Sequence, residues 1–250
     1  MRVPATTIDE VLQRLDEIID TALAENSPAG YFAYIYRRTT RAVKEAIEAA
    51  RFADNVRMEV FDVAFANLYL EAYEQFRCGD PCTLSWQLAF RAANEQKALL
   101  QHVLLGMNAH INLDLGLAAG LLMANKNLDD LKEDFRRVND ILQEIIEELQ
   151  ERVSRVSPLF YLADRFGRQR DEHLLDFSMR AAREQAWAVA HQVWSAGEDQ
   201  AAAINRIDQN VAKFGGFLHR PKTRLGRWLW RALAAAEGKK VSANIHGLRW

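Results

Sequence analysis

The sequence predicts an all-α fold: a single-domain multi-helix bundle with a central buried helix around residues 98–124. Apolar residues recur at helical spacing along almost the whole chain, and no alternating run is long enough to build a sheet. Only 12 Gly and 5 Pro punctuate 250 residues, of which 49% are apolar and 26% charged. That length suits one large domain with a substantial core.

The first helix is announced by "TTIDE", a capping box from Thr7 to Glu10, followed by Ile8, Leu12, Leu15, Ile18, Ile19 and Leu23 at helical period. "NSPAG" breaks it. A second helix is expected from Tyr31 to Phe52 and a third from Val56 to Phe76. "RCGDPCT" is a turn punctuated by Gly79 and Pro81. Helical pattern resumes at Leu84 and runs, with one break near Asn94, to Ala124. Asn127 then caps a helix with Asp129 and Asp130 in its first turn, where the helix dipole favours acids. It ends near Val156, before Pro158. Further helices are expected over Asp171–Ser195, Asp199–Lys213 and Arg224–Glu237. Eight or nine helices of this length suit a multilayer bundle.

Charge divides the chain unevenly. From His219 onward there are eight Lys/Arg against one acid, a segment charge of +7 that leaves about −9 on the rest of a chain of net charge −2. The expected organisation is therefore residues 1–218 as the helical domain and 219–250 as a basic C-terminal helix and tail, packed on it or extending from it. "TRLGRWLWRALAAAEGKK" carries Trp228, Leu229, Trp230 and Leu233 as an apolar body. Two roles are open for it: docking on the domain, or peripheral membrane contact with anionic lipid through residues 224–240. No recognition motif accompanies the basic segment, which argues against nucleic acid. The N-terminus has acids where a signal peptide needs an apolar run, and no uninterrupted apolar stretch of ~20 residues exists. The expected compartment is the cytoplasm, with Cys78 and Cys82 as reduced thiols.

The chemistry, if any, belongs to "LLGMNAHINLDLGLAAGLL" (104–122). On a helical wheel His102, Gly106, His110 and Asp114 form one stripe, with the glycine leaving room between the two histidines. Asn108 and Asn112 fall on the opposite face, as struts or substrate contacts. A helix apolar on most sides is a central one, and its buried polar groups must be bonded or must bind something. His110 and Asp114, four apart on one face, are candidate ligands for a divalent metal ion, with His102 as third ligand or general base. The rival readings are a metal-free pocket for a small or apolar ligand and a purely structural polar network.

Neighbouring stretches supply more candidates. In "RAAREQAWAVAHQVW", Arg183, Trp187 and His191 share a face, with Arg180 and Trp194 at its margins. Arg183 is a natural countercharge for Asp114 or a clamp for substrate charge, and Trp187 a core residue or substrate platform. In "FDVAFANLYLEAYEQF", Asp62, Tyr69 and Tyr73 share a face. Asp62–Tyr hydrogen bonds are expected there, with Tyr69 a candidate substrate contact. Arg37, Arg38 and Arg41 are expected to be solvated.

"YIYRRTTRAV", "FDVAFANLYLEAY", "SWQLAF", "GMNAHIN-x-DL" and "AAREQAW" together resemble a family of uncharacterised bacterial all-helical proteins, a domain of unknown function marked by the GMNAHIN-x-DL segment. The resemblance spans roughly residues 30–195, with the central segment its specific part. It implies a site at Asn108, His110, Asn112 and Asp114 but no established reaction. His110/Asp114 is also similar to the H-x-x-x-D of zinc-dependent phospholipase C and P1-type nucleases, whose three-zinc cluster needs more histidines than His102, His110, His173 and His191 supply. "DDLKE" resembles the aspartate-rich motif of terpene cyclases, but its acids read better as solvated first-turn residues. The expected function is a metal-assisted hydrolase of a phosphoester or lipid-like substrate, with His102, His110 and Arg183 catalytic. The alternatives are the metal-free ligand-binding protein and the structural network.

Overall fold

A computed structural model describes residues 2–157, 172–237 and 240–249, and every described element is helical. Helix α1 (Ile8–Glu25) begins at Thr7, whose side chain accepts from Glu10 N–H at 3.2 Å. The Glu10 carboxylate closes the box one residue early, on Thr6 N–H at 2.7 Å. Asn26, in the left-handed region at φ 52°, ends the helix, and the chain turns directly into α2 (Ala29–Glu48). Helix α3 (Asn55–Cys78) ends on Gly79 at φ +80°, which only glycine takes up without strain.

The link between α2 and α3 is pinned by Asp134. This buried carboxylate accepts from Ala53 N–H at 2.7 Å, Asp54 N–H at 3.2 Å and Arg57 Nη2 at 2.7 Å. Three donors satisfy the charge, so a buried acid is tolerated there.

Helix α4 (Leu84–Ala92) is short and has no side-chain cap of its own. Asp208, buried on a distant helix, takes that part by accepting from Leu84 N–H at 2.6 Å and Ser85 N–H at 3.0 Å. The central helix follows as α5 (Leu99–Ala109), a π-helical turn (His110–Asp114) and α6 (Leu115–Leu122). After a 3₁₀ turn (Leu128–Leu131) capped by Asn127 comes α7 (Lys132–Val156). Then come α8 (Glu172–Ser195), α9 (Gln200–His219), α10 (Arg224–Ala236) and α11 (Val241–Arg249). The sequence pattern ends α9 at Lys213, six residues early, and misses α11, whose nine residues are too few to show a period.

Among the described residues three clusters of buried apolar side chains make the core, and the central helix belongs to all of them. Leu99 and Val103 join α1, α2, α3, α4 and α11. Leu115 and Ala119 join the facing halves of α2 and α3 with α7 and α8. Leu113 and Leu117 join α8 and α9. The predicted central helix is thus surrounded, which is why its sequence is apolar nearly all round. Contact with α8 is closest at Gly116 and Gly120. A Cβ there would lie 2.7 Å from the Ala186 carbonyl oxygen and 2.8 Å from that of Ala190. Among the described residues no helix is long and apolar enough to cross a membrane.

Candidate functional site

The central helix does not stay α-helical through its polar segment. Leu115 N–H bonds the carbonyl of His110 rather than that of residue 111, the signature of a π turn holding one extra residue. Such a turn advances less per residue, so positions four apart come closer to eclipsed. His110 Nδ1 and Asp114 Oδ2 meet at 3.1 Å. Trp86 Nε1 donates to the same oxygen at 2.8 Å, from the helix that Asp208 anchors. His110 and Asp114 are 3% and 2% exposed, so bulk solvent hardly reaches either.

Burial governs their protonation. It pushes the Asp114 carboxyl well above the usual carboxylate range, against the Trp86 hydrogen bond, and the His110 imidazole well below its ordinary value. Both shifts favour the uncharged forms of the two groups that meet at 3.1 Å. Around the imidazole stand Phe65, stacked at 3.7 Å between centroids, and Tyr36, edge-on at 4.2 Å. Phe32, Tyr69 and Trp86 complete the cage at 5.6 to 6.1 Å. His110 Nε2 is buried among them without a hydrogen-bond partner.

This geometry corrects several expectations. The room at Gly106 is not shared by two histidines: the Phe32 ring fills it, 2.5 Å from where a Cβ would stand. His102 lies beyond that ring in another cluster, beside Tyr31, Lys97, His219 and Glu95. Burial, with smaller pushes from Lys97 and His219, lowers its pKa to about 4. Asp114 is not countered by Arg183, because Trp86 and His110 already occupy it. As metal ligands, His110 and Asp114 direct their facing atoms at each other, and among the described residues no group of three His, Cys, Asp or Glu is placed to hold a cation. Among the described residues no third donor completes a metal site with this pair.

Asn108 and Asn112 lie on the far side of the helix. Asn112 donates to Asn108 at 3.0 Å, and Asn108 donates to the Val211 carbonyl at 3.0 Å, tying the helix to α9. Tyr69 belongs to the aromatic cage, 4.9 Å from Trp86. Trp187 packs on Phe135 at 5.0 Å, and His191 is exposed beside it. The side chains of His173 and Arg180 fall outside the described residues. Arg37 and Arg38 are not free in solvent: they pair with Asp16 and Glu148, the latter at 2.7 Å. Cys78 and Cys82 form no disulfide.

The unsatisfied chemistry lies one side chain away. A cavity of about 50 Å³ sits between α2, α3, α7 and α8, closed against the central helix by Leu115. Tyr36 and Phe65 line it and also pack on His110, so they form the wall between the two. Asp62 and Arg183 line it too, 6% exposed each. Asp62 Oδ2 has no hydrogen-bond partner, and the expected bonds to Tyr69 or Tyr73 do not form; those rings pack with Trp86 and Phe90. Burial, with a smaller push from Glu59, raises the Asp62 carboxyl to about 7. Among the described residues Arg183 donates only to the Asn139 amide oxygen and makes no ion pair. Burial lowers its pKa to about 10. The Tyr36 and Thr40 hydroxyls are neighbours on this wall, yet no hydrogen bond of good geometry satisfies either.

The sequence reading singles out Asp62 and Arg183 but passes over Tyr36 and Thr40. The signal was present: two hydroxyls four apart on the otherwise apolar face of α2.

The molecule is thus an all-helical bundle whose buried polar groups include an imidazole–carboxyl pair backed onto a small cavity lined by Asp62 and Arg183. The chain belongs to the DUF5995 family, a family of unknown function, whose model matches residues 8–221. Comparison with curated proteins and with solved structures gives no match.

Proposed function

We propose that the protein is a metal-free binding protein for a small polar molecule, held in the cavity between Asp62 and Arg183. One observation carries this reading. A buried carboxyl and a buried guanidinium line the same cavity, and neither is ion-paired with the other or with any described residue. Leaving such groups unpaired is costly, and a protein retains that arrangement where a ligand completes it. Arg183 supplies planar donors for an anionic group. Asp62 and the two hydroxyls supply acceptors and donors for a second polar end. About 50 Å³ accommodates only a few non-hydrogen atoms, on the scale of a short hydroxy or amino acid.

The metal-assisted hydrolase finds less support, since His110 and Asp114 face each other and lack a third donor. The test is thermal denaturation of the purified protein with glycolate, glycine or acetate. Binding to the folded state alone raises Tm with concentration. The rise is expected with at least one of these probes and is expected to vanish in both Arg183→Met and Asp62→Asn. No shift with any of them, or the same shift in the variants, contradicts the reading.

A further inference from the structure

Helix α10 is amphipathic, yet none of its residues is buried. Leu225 is 67% exposed, Trp228 63% and Leu229 48%, and at 100° per residue these share one outward arc with Ala232 and Ala236. Trp230 and Leu233, half-buried, lie on the inward arc. Arg224 and Arg231 flank the outward stripe on the Trp228 side, both exposed, while Arg227 lies toward the opposite side of the helix and donates to the Pro221 and Lys222 carbonyls at 3.1 and 2.8 Å. Arg220 and Lys222 precede them, and no acid occurs from residue 220 to residue 236. On the preceding helix Phe214 and Phe217 are also exposed, at 52% and 48%, with the Lys222 ammonium 4.6 Å over the Phe217 ring.

The helix is held at both ends. Before it, His219 pairs with Glu95 at 3.1 Å and Lys97 donates to the His219 carbonyl at 3.2 Å. After it, Glu237 is buried, accepting from Ser157 at 2.6 Å and Leu99 N–H at 2.5 Å. Helix α11 then docks on α1, α2 and α7. Between those anchors α10 presents its apolar stripe outward.

We propose that this face is a docking surface for an anionic lipid bilayer, with α10 lying in the interface plane. A protein partner would need a complementary shape; the interface of a bilayer asks only for an apolar stripe with cations beside it, and that is what α10 carries. The arginines match the negative surface of such a membrane, and Trp228 matches the depth where amphipathic rings settle. Nothing in the proposal depends on the cavity at Asp62 and Arg183.

The test is co-sedimentation of the full chain with vesicles of phosphatidylcholine, with and without about a third phosphatidylserine. Binding to the anionic vesicles is expected to exceed binding to the neutral ones by at least about tenfold and to weaken as salt is raised. Trp228→Glu, at an exposed position, is expected to abolish it while leaving the circular dichroism spectrum unchanged. Arg231→Glu gives an independent variant should the first misfold, and is expected to weaken anionic-vesicle binding alone. Equal partition onto both vesicle types, no binding to either, or binding that neither variant alters overturns the proposal. So does self-association through this face that Trp228→Glu disperses.

Discussion

Asp62 and Asp114 are both buried carboxyls, but their surroundings give them opposite parts. Asp114 accepts from Trp86 and contacts His110 Nδ1 at 3.1 Å, so removing it strands two buried groups. Asp114→Ala is expected to cost about 2 to 6 kcal/mol in urea denaturation, about 1 to 3 for each stranded group, and Asp114→Asn, which keeps an acceptor for Trp86, clearly less. Asp62 has no such partners, and its titration should be visible in stability. Its folded pKa of about 7 lies above the unfolded value near 4, so the folded state binds the proton more tightly. That contribution is full below about pH 4 and is lost as pH rises through about 7, by up to ~1.4 kcal/mol per unit. His102 runs the other way. Its folded value of about 4 is below the ordinary one, so its contribution is present above about pH 6.5 and lost as pH falls toward 4. Denaturation of wild type and Asp62→Asn across this range separates the two: the variant should lack the loss on the alkaline side and keep the His102 limb. A variant curve parallel to wild type contradicts the assignment.

At the scale of elements, the π turn and the glycine contacts arrange what the residues do. The extra residue at 110–114 brings His110 over Asp114 and resets the register of α6, so that Gly116 and Gly120 meet the backbone of α8. That contact sets how far α8, and with it Arg183, stands from the central helix. Gly116→Ala places a methyl group 2.7 Å from the Ala186 carbonyl oxygen, where only backbone movement relieves it. The expected cost is about 1 to 3 kcal/mol, read from the denaturation midpoint. Neither feature is visible in a wheel drawn at 100° per residue. The wheel correctly joins His110 to Asp114 and sets Asn108 and Asn112 opposite them. It errs on His102, because Phe32 comes from a helix some seventy residues away and occupies the gap that Gly106 leaves. Helix existence and most helix ends were readable from caps and breakers such as Thr7, Asn26 and Gly79. The capping of α4 by Asp208 was not, since that carboxylate arrives from across 123 residues of chain.

For the whole molecule, the central helix is the member that every part of the core shares, and its apolar character announces this in sequence. What sequence does not announce is which polar side chains of different helices share a space. Arg183 and Asp62 stand out as charges among apolar neighbours, but only the packing of α2, α3, α7 and α8 shows that they face one cavity and not Asp114. The C-terminus is likewise a property of the assembled fold. Ile245 and Leu248 are fully buried, and the Leu248 carbonyl accepts from Tyr34 Oη at 2.6 Å and Arg152 Nη1 at 2.8 Å. Truncation before Val241 is therefore expected to lower stability by about 3 to 6 kcal/mol, from the two aliphatic side chains alone. The central claim is that the cavity holds uncompensated charge kept for a ligand, and Arg183→Met tests it most directly. Urea denaturation without ligand at neutral pH should find this variant as stable as wild type or more so, by up to about 4 kcal/mol, because a buried cation with no acid partner among the described residues is exchanged for an apolar chain of similar length. A loss of about 3 kcal/mol or more would mean that Arg183 is already paired in the folded protein, and would contradict the account.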